Sequence, residues 1–264
     1  IRCISTITGL GYVFIKESLL TKLIKFIYKI ALGKNQRIVF QNNEDRDLFI
    51  KNSLVNKNQT VVIRGSGVDI KYFSPDFCQE VKKDSFIFLM VSRLLWDKGL
   101  REFVEAGKDL KKLYDDKVKL WLLGPLDKGN PSAVSEEELK KWVDEGIIKY
   151  LGIAEDVRPY LCQADCVVLP SYREGIPRSL LEAMAMEKPI ITTDSPGCRE
   201  VCIDGENGFL VKPRDLESLV EAMKHMVEME ESKRLEIGER GRQRVLEEFS
   251  EEKVINIYLR IIKE

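Results

Sequence analysis

The sequence predicts an α/β chain organised around a doubly wound parallel sheet, and three observations carry that prediction. From Ser85 onward, short apolar runs alternate with helical patterns on brief connections, as strands and right-handed crossover helices do. The run Asp165-Cys166-Val167-Val168-Leu169-Pro170 is short, rich in β-branched residues and stopped by proline, as a buried strand is. A tight glycine turn at Gly175 then leads into a stretch of good helix formers, Ser179-Leu180-Leu181-Glu182-Ala183-Met184-Ala185-Met186. Pro177 suits the first turn of that helix, and Pro189 forbids its continuation. Ligands of such sheets bind beyond the carboxyl ends of the strands, where the strand order reverses.

Taken in order, residues 18–32 read as a helix with apolar Leu19, Leu20, Leu23, Ile24, Ile27, Ile30 and Ala31, and with Lys22, Lys25 and Lys29 on its other face. Lys16, Lys34 and Arg37 lie nearby. The plainer reading packs the apolar face on a core and leaves the lysines in water. The sharper one lays the helix near anionic lipid headgroups, where each basic residue adds about 1 kcal/mol. Residues 37–41 read as a strand, 43–51 as a helix with an asparagine cap, and 60–63 as a strand followed by the glycine turn Arg64-Gly65-Ser66-Gly67-Val68-Asp69. Two strands and two helices are too few for a stable open sheet, so residues 1–75 read as an incomplete unit. Residues 76–248 hold the regular part. Strands are expected at 85–91, 118–123, 147–151, 165–170, 189–192 and 208–211, and helices at 99–113, 136–144, 157–162 and 179–186, with charged helices from Leu216. Residues 130–135 read as an insertion loop.

Composition narrows the class. At 264 residues, with 44% apolar and 32% charged side chains, the chain is long enough to bury one large core or one domain plus part of another. A net charge of −1 gives no overall attraction to nucleic acid. No stretch reaches the roughly 20 apolar residues of a membrane span, and no secretory signal opens the chain. The first residue is not Met, which reads as a fragment boundary. The six cysteines are scattered and are expected to be reduced core residues of a cytosolic protein. No metal site is expected: the single histidine, His225, lies far along a charged helix, and Asp115-Asp116 sits in a polar turn.

Two constellations carry chemistry. A strand, a glycine turn and a helix start present unpaired N–H groups and a positive dipole end to an anion such as phosphate. Glu174 sits in that turn and Glu182 lies about two helical turns on. Two acids beside a phosphate site make sense as acceptors for sugar and ribose hydroxyls on either side of a diphosphate. The plainer reading is a solvated loop acid and a surface helix acid. The second constellation, Ser92-Arg93-Leu94-Leu95-Trp96-Asp97-Lys98-Gly99, also lies between a strand end and a helix start. Arg93 offers a planar fork to phosphate oxygens and Lys98 a compact point charge. Fixed cations there stabilise a departing nucleoside diphosphate more than its precursor. The plainer alternative is an Arg–Asp surface pair and a snorkelling lysine.

Glu174-Gly175-Ile176-Pro177-Arg178-Ser179-Leu180-Leu181-Glu182 with the following Ala183-Met184-Ala185, together with Lys188-Pro189-Ile190-Ile191-Thr192-Thr193-Asp194, resembles the signature of the retaining family 4 glycosyltransferases. Arg93-Leu94 and Lys98-Gly99 are similar to that family's G-R-L-x-x-x-K-G segment, with Ser92 in place of the common glycine. Gly67-Val68-Asp69 looks like the end of the family's first domain, with Arg64-Gly65-Ser66 replacing the usual residues. The resemblance implies a GT-B fold: an incomplete N-terminal Rossmann-like domain (1–75), a C-terminal nucleotide-sugar-binding domain (76–248) and a helix crossing back (249–264). It implies catalytic roles for Glu174, Arg93 and Lys98. Arg93 and Lys98 become diphosphate ligands, Glu182 the ribose ligand, and Glu174 a ligand of donor-sugar hydroxyls beside Gly175, Ile176 and Pro177. The N–H groups of Arg178, Ser179 and Leu180 then sit beside the phosphates, with Gly124 and Ile153 as walls for the base.

Within the family the chain looks most like enzymes that extend undecaprenyl-diphosphate-linked glycans or capsular polysaccharide, an impression to which residues 4–14 contribute. This implies UDP-HexNAc or a UDP-hexose as donor and a glycan or polyprenyl-diphosphate-linked acceptor. It also implies a peripheral place on the inner face of a bacterial membrane, with no catalytic metal or other cofactor. The family also uses a histidine from its first domain. This chain has none there, so the 264-residue chain is expected to bind nucleotide but to transfer sugar poorly. The rival readings are a nucleotide-sugar epimerase or phosphorylase on the same architecture, and a non-catalytic nucleotide-binding module.

Overall fold

Phe86 to Val91 is an unbroken apolar run, and in the computed structural model it forms strand β4 (Phe86–Val91) near the centre of a six-stranded sheet. The structure describes residues 3–10, 14, 19–79 and 84–263. The other strands of this sheet are β5 (Val118–Leu123), β6 (Ile148–Tyr150), β7 (Cys166–Leu169), β8 (Ile190–Thr193) and β9 (Gly208–Val211), in the order β6-β5-β4-β7-β8-β9. All neighbours are parallel, with Phe88 opposite Cys166 and Met90 opposite Leu122. The interior of β4 is solvent-free because helices cover both faces, as parallel sheets require. Those helices are α3 (Leu100–Tyr114), α4 (Glu136–Asp144), α5 (Arg158–Gln163), α6 (Arg178–Ala185), α7 (Leu216–Glu228) and α8 (Glu231–Arg244). The strand order reverses between β4 and β7, which places the ligand crevice there.

A second, three-stranded sheet joins β1 (Ile4–Ile7), β2 (Arg37–Phe40) and β3 (Thr60–Val62), all parallel in that order. β1 was not anticipated: four residues that include Ser5 and Thr6 give too short a signal to read alone. Between the strands run α1 (Leu19–Leu32) and α2 (Asn43–Lys51), the latter capped by Asn42, whose side chain accepts from Asp45 N–H. The chain returns through α9 (Glu251–Lys263), which packs Val254 and Ile261 on Val39 of β2 and on Ile63.

Two expectations are corrected. The apolar face of α1 does not pack on the core, because Leu19, Leu23, Phe26, Ile27 and Ile30 are all exposed. Thr21, Tyr28 and Leu32 face inward instead, with Tyr28 edge-on to Phe49 at 5.1 Å. The expected helix start at residue 18, Lys16 and residues 11–13 lie outside the described residues. Nor are all six cysteines reduced. Cys78 and Cys162 form a disulfide with Cα atoms 5.3 Å apart, because the turn Pro75–Phe77 lies against α5. A separation of 84 residues hid this pairing from the sequence, and with it goes the cysteine pattern as support for a reducing compartment. Cys166, Cys198 and Cys202 are buried thiols, and burial pushes Cys202 up to about 12.

Candidate active site

The carboxyl ends of the two sheets face each other across a cavity of about 260 Å³. Its walls come from Thr8, Gly9 and Leu10 after β1, from Arg93, Asp97 and Lys98 after β4, from Asn130, and from Arg173, Glu174 and Gly175 after β7. A larger hollow of about 460 Å³ opens beside Val118, Leu120 and Ile148, towards the amino ends of the strands, where sheets of this kind do not hold ligands.

Local sequence fixes the cations. After β4 the chain makes a single tight turn at Trp96–Lys98 and reaches Gly99, whose φ of 77° is left-handed. A Cβ there would run into the carbonyl of Pro170 at the end of β7, so only glycine lets these two strand ends approach. Asp97 reinforces the approach: its carbonyl accepts from Tyr172 N–H at 2.9 Å and from the Ser171 hydroxyl at 3.2 Å. Burial raises the Asp97 carboxyl above its ordinary value, and the Ser132 hydroxyl donates to it. As a result Lys98 Nζ meets Glu174 Oε1 at 2.5 Å, with both side chains largely buried. Arg93 is half-exposed and pairs with Asp127 at 2.9 Å.

The turn that carries Glu174 is held from the small sheet. Asn42 Nδ2 donates to the Gly175 carbonyl at 3.1 Å, and Gln41 Oε1 accepts from Ile176 N–H at 3.2 Å. Arg173 is ion-paired with the buried Asp45, whose carboxyl is raised by desolvation despite that partner. From the other side, Glu174 N–H donates to Pro196 O at 2.9 Å. A Cβ on Gly175 would collide with Thr8 O and Gln41 Oε1, so a bare backbone is required at this contact.

Pro177 is the cap residue of α6 rather than part of its first turn. Arg178 and Ser179 open the helix with N–H groups that have no intrahelical acceptor. The Leu180 N–H instead donates to Pro177 O at 3.1 Å, and its side chain is buried in the core with that of Ile176. Glu182 pairs with Arg178 at 2.8 Å, and burial raises its carboxyl above the ordinary value against the pull of that cation. Thus Arg93, Lys98, Glu174 and Gly175 share one cavity, whereas Glu182 lies outside its walls. Gly124 packs under the carbonyl of Ser92, and Ile153 is exposed on the surface. Among the described residues, no group of three or more His, Cys, Asp or Glu could hold a metal ion.

The family model for the glycosyl transferases group 1 matches residues 76–244. The chain belongs to this family. Curated proteins are similar to it along most of this chain. It is 31% identical to the N,N'-diacetylbacillosaminyl-diphospho-undecaprenol alpha-1,3-N-acetylgalactosaminyltransferase of Campylobacter jejuni, over 97% of this chain and 70% of that one. It is 27% identical to the capsular polysaccharide biosynthesis glycosyltransferase CapM of Staphylococcus aureus, over 89% of this chain and 64% of the relative. A third relative, the UDP-Gal:alpha-D-GlcNAc-diphosphoundecaprenol alpha-1,3-galactosyltransferase of Escherichia coli, is 29% identical over 81% of this chain and 57% of its own. The chain therefore spans between 57% and 70% of the length of these three. A solved glycosyltransferase from Rickettsia africae superposes with a TM-score of 0.82 at 22% identity, covering 98% of this chain and 69% of that one. Anabaena Alr3699/HepE, in complex with UDP and glucose, gives 0.81 at 18%, covering 100% and 72%. These likenesses show the GT-B fold for this group 1 chain.

Sequence reading missed Asp127, Asn130, Gln41, Asn42 and Asp45. Asn130 opens what read as an insertion, and Asp127 lies just before it. The segment is instead tied to residues 94–96, with Trp96 N–H donating to Ser132 O at 2.8 Å and Val134 N–H to Leu94 O at 3.0 Å. Its proline and glycine signals were visible; its strand-like pairing with a distant loop was not. Gln41 ended a predicted strand and Asn42 followed it, at the carboxyl end where ligands gather, and that position was the available signal.

Proposed function

We propose that this chain binds a nucleotide sugar and serves a retaining glycosyltransferase that moves the sugar onto a polyprenyl-diphosphate-linked glycan. The observation that carries this reading is the meeting of Lys98 and Glu174 at 2.5 Å, with Arg93 on the same cavity and the start of α6 beyond the Glu174 turn. A diphosphate set against Arg93 and Lys98 leaves with the electron pair of the broken sugar–phosphate bond, and those cations stabilise the growing charge. Glu174 accepts hydroxyls of the donor sugar and fixes the reacting carbon, while Glu182 takes the ribose. No resident metal is needed for this charge stabilisation.

UDP-HexNAc or a UDP-hexose is the favoured donor. One relative is named for UDP-galactose and a diphosphoundecaprenol acceptor, another for a diphospho-undecaprenol acceptor. A lipid-linked acceptor and a nucleotide sugar meet at the cytoplasmic face of a bacterial membrane, and we place the protein there, peripherally; no described helix is long and apolar enough to cross a membrane. Calorimetry with UDP, UDP-N-acetylglucosamine, UDP-glucose and GDP-mannose tests the reading. UDP compounds are expected to bind. Binding of the GDP compound alone would overturn the donor choice, and binding of none would overturn the donor site.

A further inference from the structure

We propose that α1 is a membrane-docking element whose outward face enters the headgroup region of an anionic lipid surface. Leu19, Leu23, Phe26, Ile27 and Ile30 follow one another at helical spacings of three, four and one, so they share a face. That face points away from the protein: Leu19 is 84% exposed and Phe26 61%. The opposite face is already satisfied, with Thr21 and Leu32 buried and Tyr28 packed on Phe49. A helix that turns its most apolar stripe outward while burying a threonine is arranged for an apolar environment outside the fold.

Charge selects the occupant. Lys22 and Lys29, both exposed, sit a helical turn or two apart on one flank of the apolar stripe, and exposed Lys34 follows just beyond the helix. Helix α1 contains no acidic residue, although the whole chain carries a net charge of −1. A second copy docked face to face would set these lysines near one another with no acid on either helix to meet them. Lipid phosphates supply the missing counter-charge, and acyl chains cover the stripe. In the chain, Leu10 is the last cavity-wall residue before α1 begins at Leu19. The choice of lipid rests on the reading of the chain as acting on a lipid-linked acceptor.

Flotation of the 264-residue chain with phosphatidylglycerol-containing and purely phosphatidylcholine vesicles tests this directly. The wild type is expected to float with the anionic vesicles and to be released by salt. The Lys22→Gln/Lys29→Gln variant is expected to lose about 30-fold in partition coefficient, at about 1 kcal/mol per lysine. The Leu23→Gln/Phe26→Gln variant is expected to lose about 100-fold or more. Both variants should melt like wild type, since the substituted side chains are exposed, and should keep its UDP affinity. No flotation of the wild type, or equal flotation of all three proteins, overturns the proposal. So does a dimer in sedimentation that Leu23→Gln/Phe26→Gln dissolves, which would assign the face to a second copy. Loss of UDP binding by the wild type would instead overturn the donor-site reading and leave the vesicle result standing.

Discussion

Lys98 Nζ and Glu174 Oε1 lie 2.5 Å apart, one arriving from the loop after β4 and the other from the turn after β7. With only 17% and 14% of their side chains exposed, neither charge would be tolerated alone. Each therefore satisfies the other. Under the proposed function, a donor would exchange the partners, its diphosphate taking the ammonium and a sugar hydroxyl the carboxylate.

Under the proposed function, removing either cation is expected to weaken diphosphate binding by about 1–3 kcal/mol, the value of a charged hydrogen bond. Their effects on stability differ. Lys98→Ala strands the buried Glu174 carboxylate and is expected to lower stability by about 1–3 kcal/mol. Arg93→Ala opens a pair that is half in water and should cost less than about 1 kcal/mol. Calorimetry with UDP and thermal melts check both, and unchanged UDP affinity in the two variants would remove their assigned role.

Glu174→Gln and Asn42→Ser are expected to give one phenotype by different routes. Glu174→Gln removes the charge that would receive the sugar under the proposed function. Asn42→Ser keeps an oxygen to cap α2 but loses the amide that holds Gly175 O. Both variants should bind UDP nearly as wild type does, yet lose the extra affinity of a UDP-sugar over UDP. A parallel loss of UDP affinity would contradict a role directed at the sugar.

Gly99→Ala is expected to destabilise the fold by about 2–5 kcal/mol, from the left-handed backbone plus the collision with Pro170 O. Gly152 has a similar φ of 74° but open space around it, so Gly152→Ala should cost only about 1–2 kcal/mol. Chemical denaturation of the two variants measures the difference.

Acidity offers a separate check. Burial raises the Glu182 carboxyl in the folded protein, so the native state holds this proton more tightly than the unfolded chain. Its contribution is fully present below the ordinary carboxylate range and is lost as pH rises through the raised value. Glu182→Gln removes that slope. The stability of wild type relative to Glu182→Gln should fall as pH rises above the ordinary carboxylate range, as melts at increasing pH would show. A difference that grows with pH would mean that Arg178, not desolvation, dominates.

The alternation of strands and helices from Ser85 onward was legible because each apolar run is local and its punctuation, such as Pro170 and Pro189, lies beside it. The cations and acids of the cavity were legible for the same reason: Arg93, Lys98 and Glu174 each follow a strand within a few residues. Asp127 and Asn42 were not, since their roles depend on loops far apart in the chain. The outward face of α1 was misjudged because periodicity shows that a stripe exists and not which way it points.

By itself, then, the sequence determined the α/β class, the two strand-to-helix turns and the charged groups they carry, all set by propensity and sterics over a dozen residues. The tertiary structure alone decided that Lys98 is held by Glu174, that Asn42 grips the Gly175 turn, that Cys78 meets Cys162, and that α1 turns Phe26 outward. Each of these needs residues far apart in the chain to converge, and the energy that selects such a convergence belongs to the packed fold rather than to any segment of it.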